Sequence, residues 1–293
     1  MNATKFSGVG TALVTPFNSD FSIDYDGLRQ LVELQIQGGT DFLVVQGTTG
    51  ESPTLSATEK QRVLETVAEV TNKRLPIVYG VGGNNTLEVA AKFKEINPAL
   101  VDGILSVSPY YNKPTQEGIY QHYKLLAEST DLPIILYNVP GRTASNVLPE
   151  TTLRLAEIKN IIAMKEASGN MEQIMEIIRN KPENFLLLSG DDALTLPIIA
   201  CGGDGVISVV SNALPEKFGQ MVHAALKGDF QTARELHYQL LPITKSFFAE
   251  GNPGGVKEAL VFRKIMKQFM RLPLVNVSEG LAQTIHLQMK GLL

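Results

Sequence analysis

The chain has 293 residues, 44% of them hydrophobic and 19% charged, the balance of a sequence that buries a large core. A net charge of −4 offers no basic footprint for nucleic acid or for an anionic membrane surface. At this length an α/β barrel still forms a single unit.

Short apolar runs rich in β-branched residues alternate with helical patterns along the first two-thirds of the chain. GTALVTP (10–16) is the first strand expected, followed by the amphipathic stretch 25–39, where Gly38 and Gly39 act as a stop. DFLVVQG (41–47) comes next, and then a helix over 56–73 opened by Ser56 and Glu59 in capping-box spacing. PIVYGVG (76–82), GILSVSP (103–109), PIILYN (133–138), IIAMKE (161–166), FLLLSGD (185–191) and GVISVVS (205–211) complete eight runs, each separated from the next by a helical pattern. Their near-continuous hydrophobicity suits parallel strands covered on both faces. Eightfold alternation predicts a (β/α)8 TIM barrel over residues 1–227, with a C-terminal helical region over 228–293 as an appendage. A doubly wound open sheet is the alternative, but no glycine-rich dinucleotide fingerprint opens the first helix.

In a barrel, function gathers at the C-terminal ends of the strands. Among the eight runs only the sixth contains a lysine, Lys165. Strict alternation places it on one face with Ile161 and Ala163, where an amine loses hydration and its pKa falls. A neutral amine is what attack on a ketone carbonyl requires, so Lys165 is the candidate nucleophile; the plainer alternative is a strand-end lysine paired with a carboxylate. The second run leads into Gly47, Thr48, Thr49, Gly50 and Glu51, where backbone amides and two hydroxyls could grip a carboxylate, or simply form a Gly/Thr turn. Tyr137 ends the fifth run as a candidate proton relay or a packed phenol. Arg142, just after it, is a candidate carboxylate clamp or a surface arginine. Tyr110 and Tyr111 follow the fourth run at the same rim.

Other residues carry weaker signals. His122, His223, His237 and His286 lie in helical patterns at no metal-ligand spacing and read as surface or packing residues. Asp191 and Asp192 could hold magnesium, but read better as caps of the next helix. The single cysteine, Cys201, excludes an intramolecular disulfide, fits a reducing compartment, and in its IIACGG setting is expected to be a buried, inert thiol. No run approaches the ~18 apolar residues of a membrane span, and the first residues lack the pattern of a signal peptide, so a soluble cytoplasmic protein is expected.

Taken in order, GTTGES (47–52), SPYYNKP (108–114), YNVPGRT (137–143), KEASGN (165–170) and SGDDA (189–193) resemble the dihydrodipicolinate synthase/N-acetylneuraminate lyase family, and the likeness runs over essentially the whole chain. The resemblance implies that Lys165 forms an imine with pyruvate and that Tyr137 relays protons. It implies that Thr48 links Tyr137 to Tyr111, the latter reaching in from a neighbouring subunit of a homotetramer built as a dimer of dimers. Thr49 would hold the pyruvate carboxylate, Arg142 the carboxylate of L-aspartate 4-semialdehyde, and the carbonyls of Gly190 and Ile207 would line the site. No metal or organic cofactor is implied, because the imine itself is the electron sink. Arg142 argues for a carboxylated aldehyde over the sugar substrates of sister aldolases, and a non-catalytic metabolite-binding barrel has no use for this rim. In members inhibited by lysine, the regulatory cleft carries two histidines where this chain has Ala57 and Lys60. The matching Ser52, Asn84, Glu88 and Tyr110 are present, and the added cation predicts weak or absent feedback by lysine. The glycines of GNPGGVKEAL (251–260) also stand where bulkier residues are expected.

Overall fold

Each of the eight apolar runs forms one strand, and the strands pair in parallel and in chain order until the eighth closes on the first. The computed structural model describes residues 3–293. The strands are β1 (Gly8–Ala12), β2 (Phe42–Val45), β3 (Ile77–Gly80), β4 (Gly103–Val107), β5 (Ile134–Asn138), β6 (Ile161–Glu166), β7 (Leu186–Ser189) and β8 (Gly205–Ser208). Between and after them run α1 (Tyr25–Gln37), α2 (Ala57–Thr71), α3 (Thr86–Glu95), α4 (Gln116–Glu128), the single turn α5 (Pro140–Thr143), α6 (Pro149–Ala156), α7 (Met171–Asn180), α8 (Thr195–Ala200) and α9 (Pro215–Leu226). Three C-terminal helices follow: α10 (Phe230–Phe248), α11 (Gly254–Phe262) and α12 (Glu279–Leu292).

Local signals act where the sequence places them. Ser56 accepts the amide of Glu59, and the Glu59 carboxylate accepts that of Ser56, closing the capping box of α2. Gly38 is the C-cap of α1, and Gly39 takes the left-handed conformation at φ +78°. The first strand, expected over 10–16, instead covers Gly8–Ala12. Beyond Leu13 its backbone leaves the sheet for side-chain partners: the amide of Val14 donates to Asn212 Oδ1, and the Thr15 hydroxyl donates to the Gly50 carbonyl.

The barrel interior takes one side chain or more from every strand, among them Ala12, Val44, Val78, Leu105, Ile135, Ala163, Leu188 and Ile207. Full burial of an aliphatic side chain contributes roughly 1.5–3 kcal/mol relative to exposure, so this filled interior is a rigid floor for anything mounted at its rim. Strict alternation fails at one point. Ile134 pairs with Ile161 but Ile135 pairs with Ala163, so β6 carries one extra residue against β5. As a result Ile161 packs outward with Met164, while Ile162 and Ala163 both face the interior. Lys165 therefore shares its face with Ala163 as expected, but not with Ile161.

The C-terminal helices bury Ile243, Val256 and Ile285 in the same apolar cluster as Val9 of β1 and Phe218 of α9. Gly255 lets α11 cross α10 closely, because a Cβ there would lie 2.5 Å from Phe247 Cα. Cys201 is exposed, contrary to the buried thiol expected. It is the C-cap of α8, and the chain turns outward there through Gly202 at φ +102°, so Ile198 and Ile199 are buried and the thiol is not.

Candidate active site

Register fixes the centre of the site. Lys165 has Tyr137 of β5 as its Cα partner on one side and Leu188 of β7 on the other, all at the C-terminal ends of their strands. The side chain is 6% exposed, and its amine lies 4.3 Å from the centre of the Tyr137 ring. Gly190 gives it room, since a Cβ there would stand 2.7 Å from Ala167 Cβ and 3.2 Å from Lys165 Cε. Burial draws the amine down from 10.5 to about 8; the Asp192 charge opposes the shift, and Arg142 adds to it. An amine so placed has a large neutral fraction in mildly alkaline solution, and the neutral form is the nucleophile.

Tyr137 is also buried, and burial pushes its phenol up to about 12 against the opposing effects of Arg142 and a hydrogen bond with Thr48. The hydroxyl therefore keeps its proton at neutral pH and can donate it. Thr48 and Thr49 open a single 3-10 turn closed by the Gly50 amide on the Gly47 carbonyl, which leaves their own amides outside the turn's internal bonds. Thr49 is buried. Arg142 stands on α5, its backbone tied to the Val139 carbonyl at 2.9 Å, with its side chain in no ion pair among the described residues. An unpaired guanidinium beside a buried amine and a phenol is suited to a carboxylated substrate. Thr48, Tyr137 and Arg142 line one cleft of about 420 Å³ together with Tyr110, Ser52 and Lys60.

Two buried carboxylates, Asp192 and Glu166, support the site in roles not expected of them. Asp191 caps the turn after β7 as expected, accepting the Ala193 amide at 2.9 Å. Asp192 does not cap it; it is buried, accepting the Ser208 hydroxyl at 2.5 Å and the Val209 amide at 3.0 Å. Burial raises its carboxyl to about 6, and its charge acts on Lys165. Glu166 points away from the interior and is fully buried. It accepts from the Ser168 amide at 2.6 Å, Asn138 at 3.0 Å and Gln173 at 3.1 Å, and so ties the Lys165 strand end to β5 and α7. The only sequence signal for it was an acidic residue at the end of an apolar run.

The remaining candidates divide. Ile207 packs in the interior below the site. Tyr111 takes a left-handed backbone at φ +74°, and its side chain is 87% exposed within the single chain. Asn84 donates to the Tyr110 carbonyl at 3.1 Å, and Glu88 accepts from Asn85 at 3.0 Å. Ala57 and Lys60 line a cleft with Ser52 next to the main one. Burial lowers the pKa of Lys60, with Lys92 adding to the effect. His122 is buried against Thr86 at 2.9 Å, and His223 pairs with Asp41 at 2.7 Å, so both serve packing between elements.

A family model described as the dihydrodipicolinate synthetase family matches residues 5–291. A 4-hydroxy-tetrahydrodipicolinate synthase of Flavobacterium psychrophilum is 51% identical over 288 residues, covering 98% of both chains. Another, of Koribacter versatilis, is 54% identical over 272 residues, covering 92% of this chain and 91% of the relative. The crystal structure of dihydrodipicolinate synthase from Aquifex aeolicus superposes with a TM-score of 0.94 at 42% identity, covering 98% of each chain.

Proposed function

The chain belongs to the dihydrodipicolinate synthetase family, and from that premise we propose how it makes 4-hydroxy-tetrahydrodipicolinate from pyruvate and L-aspartate 4-semialdehyde, with Lys165 as the covalent catalyst. It is a lyase of the class I aldolase type, working in lysine and diaminopimelate biosynthesis. The observation that carries the mechanism is the buried amine of Lys165, drawn down to about 8 and set over the Tyr137 ring.

The neutral amine attacks the keto carbon of pyruvate, and loss of one water leaves a protonated imine. This imine withdraws electrons from the neighbouring methyl group, which gives up a proton and becomes an enamine. The enamine carbon attacks the aldehyde, forming the new carbon–carbon bond, and the resulting alkoxide takes a proton. The amino group of the former semialdehyde then adds to the imine carbon and displaces Lys165, which leaves with its original hydrogens. The balance is one water released and no change of oxidation state. Tyr137, protonated at neutral pH, is the group that passes protons to and from the reacting carbons and oxygens. Thr49 and the amides of its turn hold the pyruvate carboxylate, Gly190 and Ile207 offer carbonyls to the site, and Arg142 takes the carboxylate of the semialdehyde.

Tyr111 belongs to the same proposal. Its exposed ring on a strained backbone supports a role across a subunit boundary, with Thr48 linking it to Tyr137, in a homotetramer built as a dimer of dimers. Residues 1–227 then carry the catalytic barrel and 228–293 the helical region. Among the described residues no helix is long and apolar enough to cross a membrane, and work in the cytoplasm completes the reading. A coupled assay with pyruvate and L-aspartate 4-semialdehyde, run beside N-acetylneuraminate, tests the specificity. Turnover is expected on the former pair, and activity on N-acetylneuraminate alone would overturn it.

A further inference from the structure

Accepting the function proposed above, we propose that Lys257 and Asn252, both in the C-terminal region, are positioning residues that hold the pyruvate-carboxylate turn from outside the barrel, Lys257 through Glu51 and Asn252 through Thr49. The turn needs holding. Glu51 ends it with a left-handed backbone at φ +54°, which a residue with a Cβ adopts at a cost and keeps only where its surroundings impose it. Its carboxylate is fully buried. Oε1 accepts Lys257 Nζ at 2.5 Å, and Oε2 accepts the Arg271 amide at 3.2 Å. Lys257 is equally buried, donates a second bond to the Phe269 carbonyl at 2.8 Å, and lies 4.5 Å from the Phe17 ring. A second contact reaches the turn from the same segment. Asn252, just before α11, donates to the Thr49 hydroxyl at 2.9 Å.

The chemistry of these contacts fits positioning better than bulk stability. A buried ion pair loses about as much in desolvation as it gains in attraction, and an apolar pair of equal volume usually supports a fold as well. What the pair supplies is a fixed direction at Glu51, two residues from Thr49. The Asn252 bond acts on the threonine itself. With one lone pair of its oxygen occupied by Asn252, the Thr49 hydroxyl is oriented and keeps its own proton to donate to a carboxylate. Residues 203 and 206 positions away in sequence thus converge on the two residues that shape the turn. The lysine centre, by contrast, is supported from β5, β7 and α7, so the two halves of the site have separate supports.

The test uses two variants of the full-length enzyme. Removing Lys257 alone would strand a buried carboxylate, so the first variant is the double change Glu51→Gln with Lys257→Met; the second is Asn252→Ala. Each is assayed for a cooperative melt, for kcat, for KM of both substrates, and for borohydride trapping of pyruvate on Lys165 across a pyruvate titration. A misplaced turn is expected to raise KM for pyruvate roughly tenfold or more, to shift the trapping midpoint equally, and to leave KM for the semialdehyde within about twofold. Folded variants with wild-type KM and trapping midpoint for pyruvate would reduce the contacts to structure and overturn the proposal, as would loss of folding in both. Failure of the unaltered enzyme to trap pyruvate at all would instead sink the catalytic reading on which the proposal rests.

Discussion

Replacing Lys165 with methionine should abolish activity and make the protein more stable. The amine is buried, and burial takes it from 10.5 to about 8. A base whose folded pKa lies below its unfolded value destabilises the fold at low pH, because the unfolded chain binds the proton more tightly. The penalty is complete below the folded value near 8, fades as pH rises above it, and is nearly gone at the unfolded value of 10.5. At neutral pH such a shift corresponds to about 3 kcal/mol. Methionine has a similar length and no charge, so it relieves this penalty while filling the space. Part of the gain is offset, because the attraction between the Asp192 charge and the Lys165 amine is lost. A net gain of about 1–3 kcal/mol is expected at pH 7. The assay is the melting or urea midpoint of both proteins at equal concentration from pH 6.5 to about 10.5. Lys257, also lowered to about 8, is common to both and cancels in the difference. The stability gap should be widest below pH 8 and close above it. A less stable variant, or a gap that does not change with pH, would refute the reasoning.

Arg142→Ala should reduce kcat/KM for L-aspartate 4-semialdehyde about 100-fold by removing a bidentate carboxylate contact, while pyruvate still forms its adduct on Lys165. Because Arg142 lowers the lysine's pKa, the pH midpoint of adduct formation should also move upward in that variant; an unchanged semialdehyde KM would remove Arg142 from the clamp role. Lysine at sub-millimolar concentration should leave turnover unaffected, since the Lys60 amine in the cleft it shares with Ser52 and Ala57 repels a second cation there. Strong inhibition in a simple titration would refute this.

The sequence makes the barrel legible because parallel strands buried on both faces leave unbroken apolar runs, and because caps such as Ser56 with Glu59 are encoded within four residues. Lys165 and Tyr137 could be picked out because each interrupts or closes such a run, and Arg142 because it lies in the loop just after one. What stayed hidden depends on pairing between distant segments. The extra residue in β6 exists only relative to β5, so alternation alone misassigned Ile161. Asp192 reads as a cap beside Asp191 until Ser208 and Val209 of the next βα unit take hold of it. Glu51 and Lys257 reveal themselves as a pair only once the C-terminal helices fold back over the second loop. Cys201 departs from expectation for a related reason: Ile198 and Ile199 before it are buried, but a helix end decides where the thiol itself points.

The most direct test of the central claim is reduction with borohydride in the presence of pyruvate, followed by peptide mass analysis. One adduct is expected, on the peptide holding Lys165, heavier by pyruvate less one oxygen, forming faster as pH rises toward 8 and levelling off beyond it. No adduct on that peptide, or an adduct on another lysine, would contradict the claim.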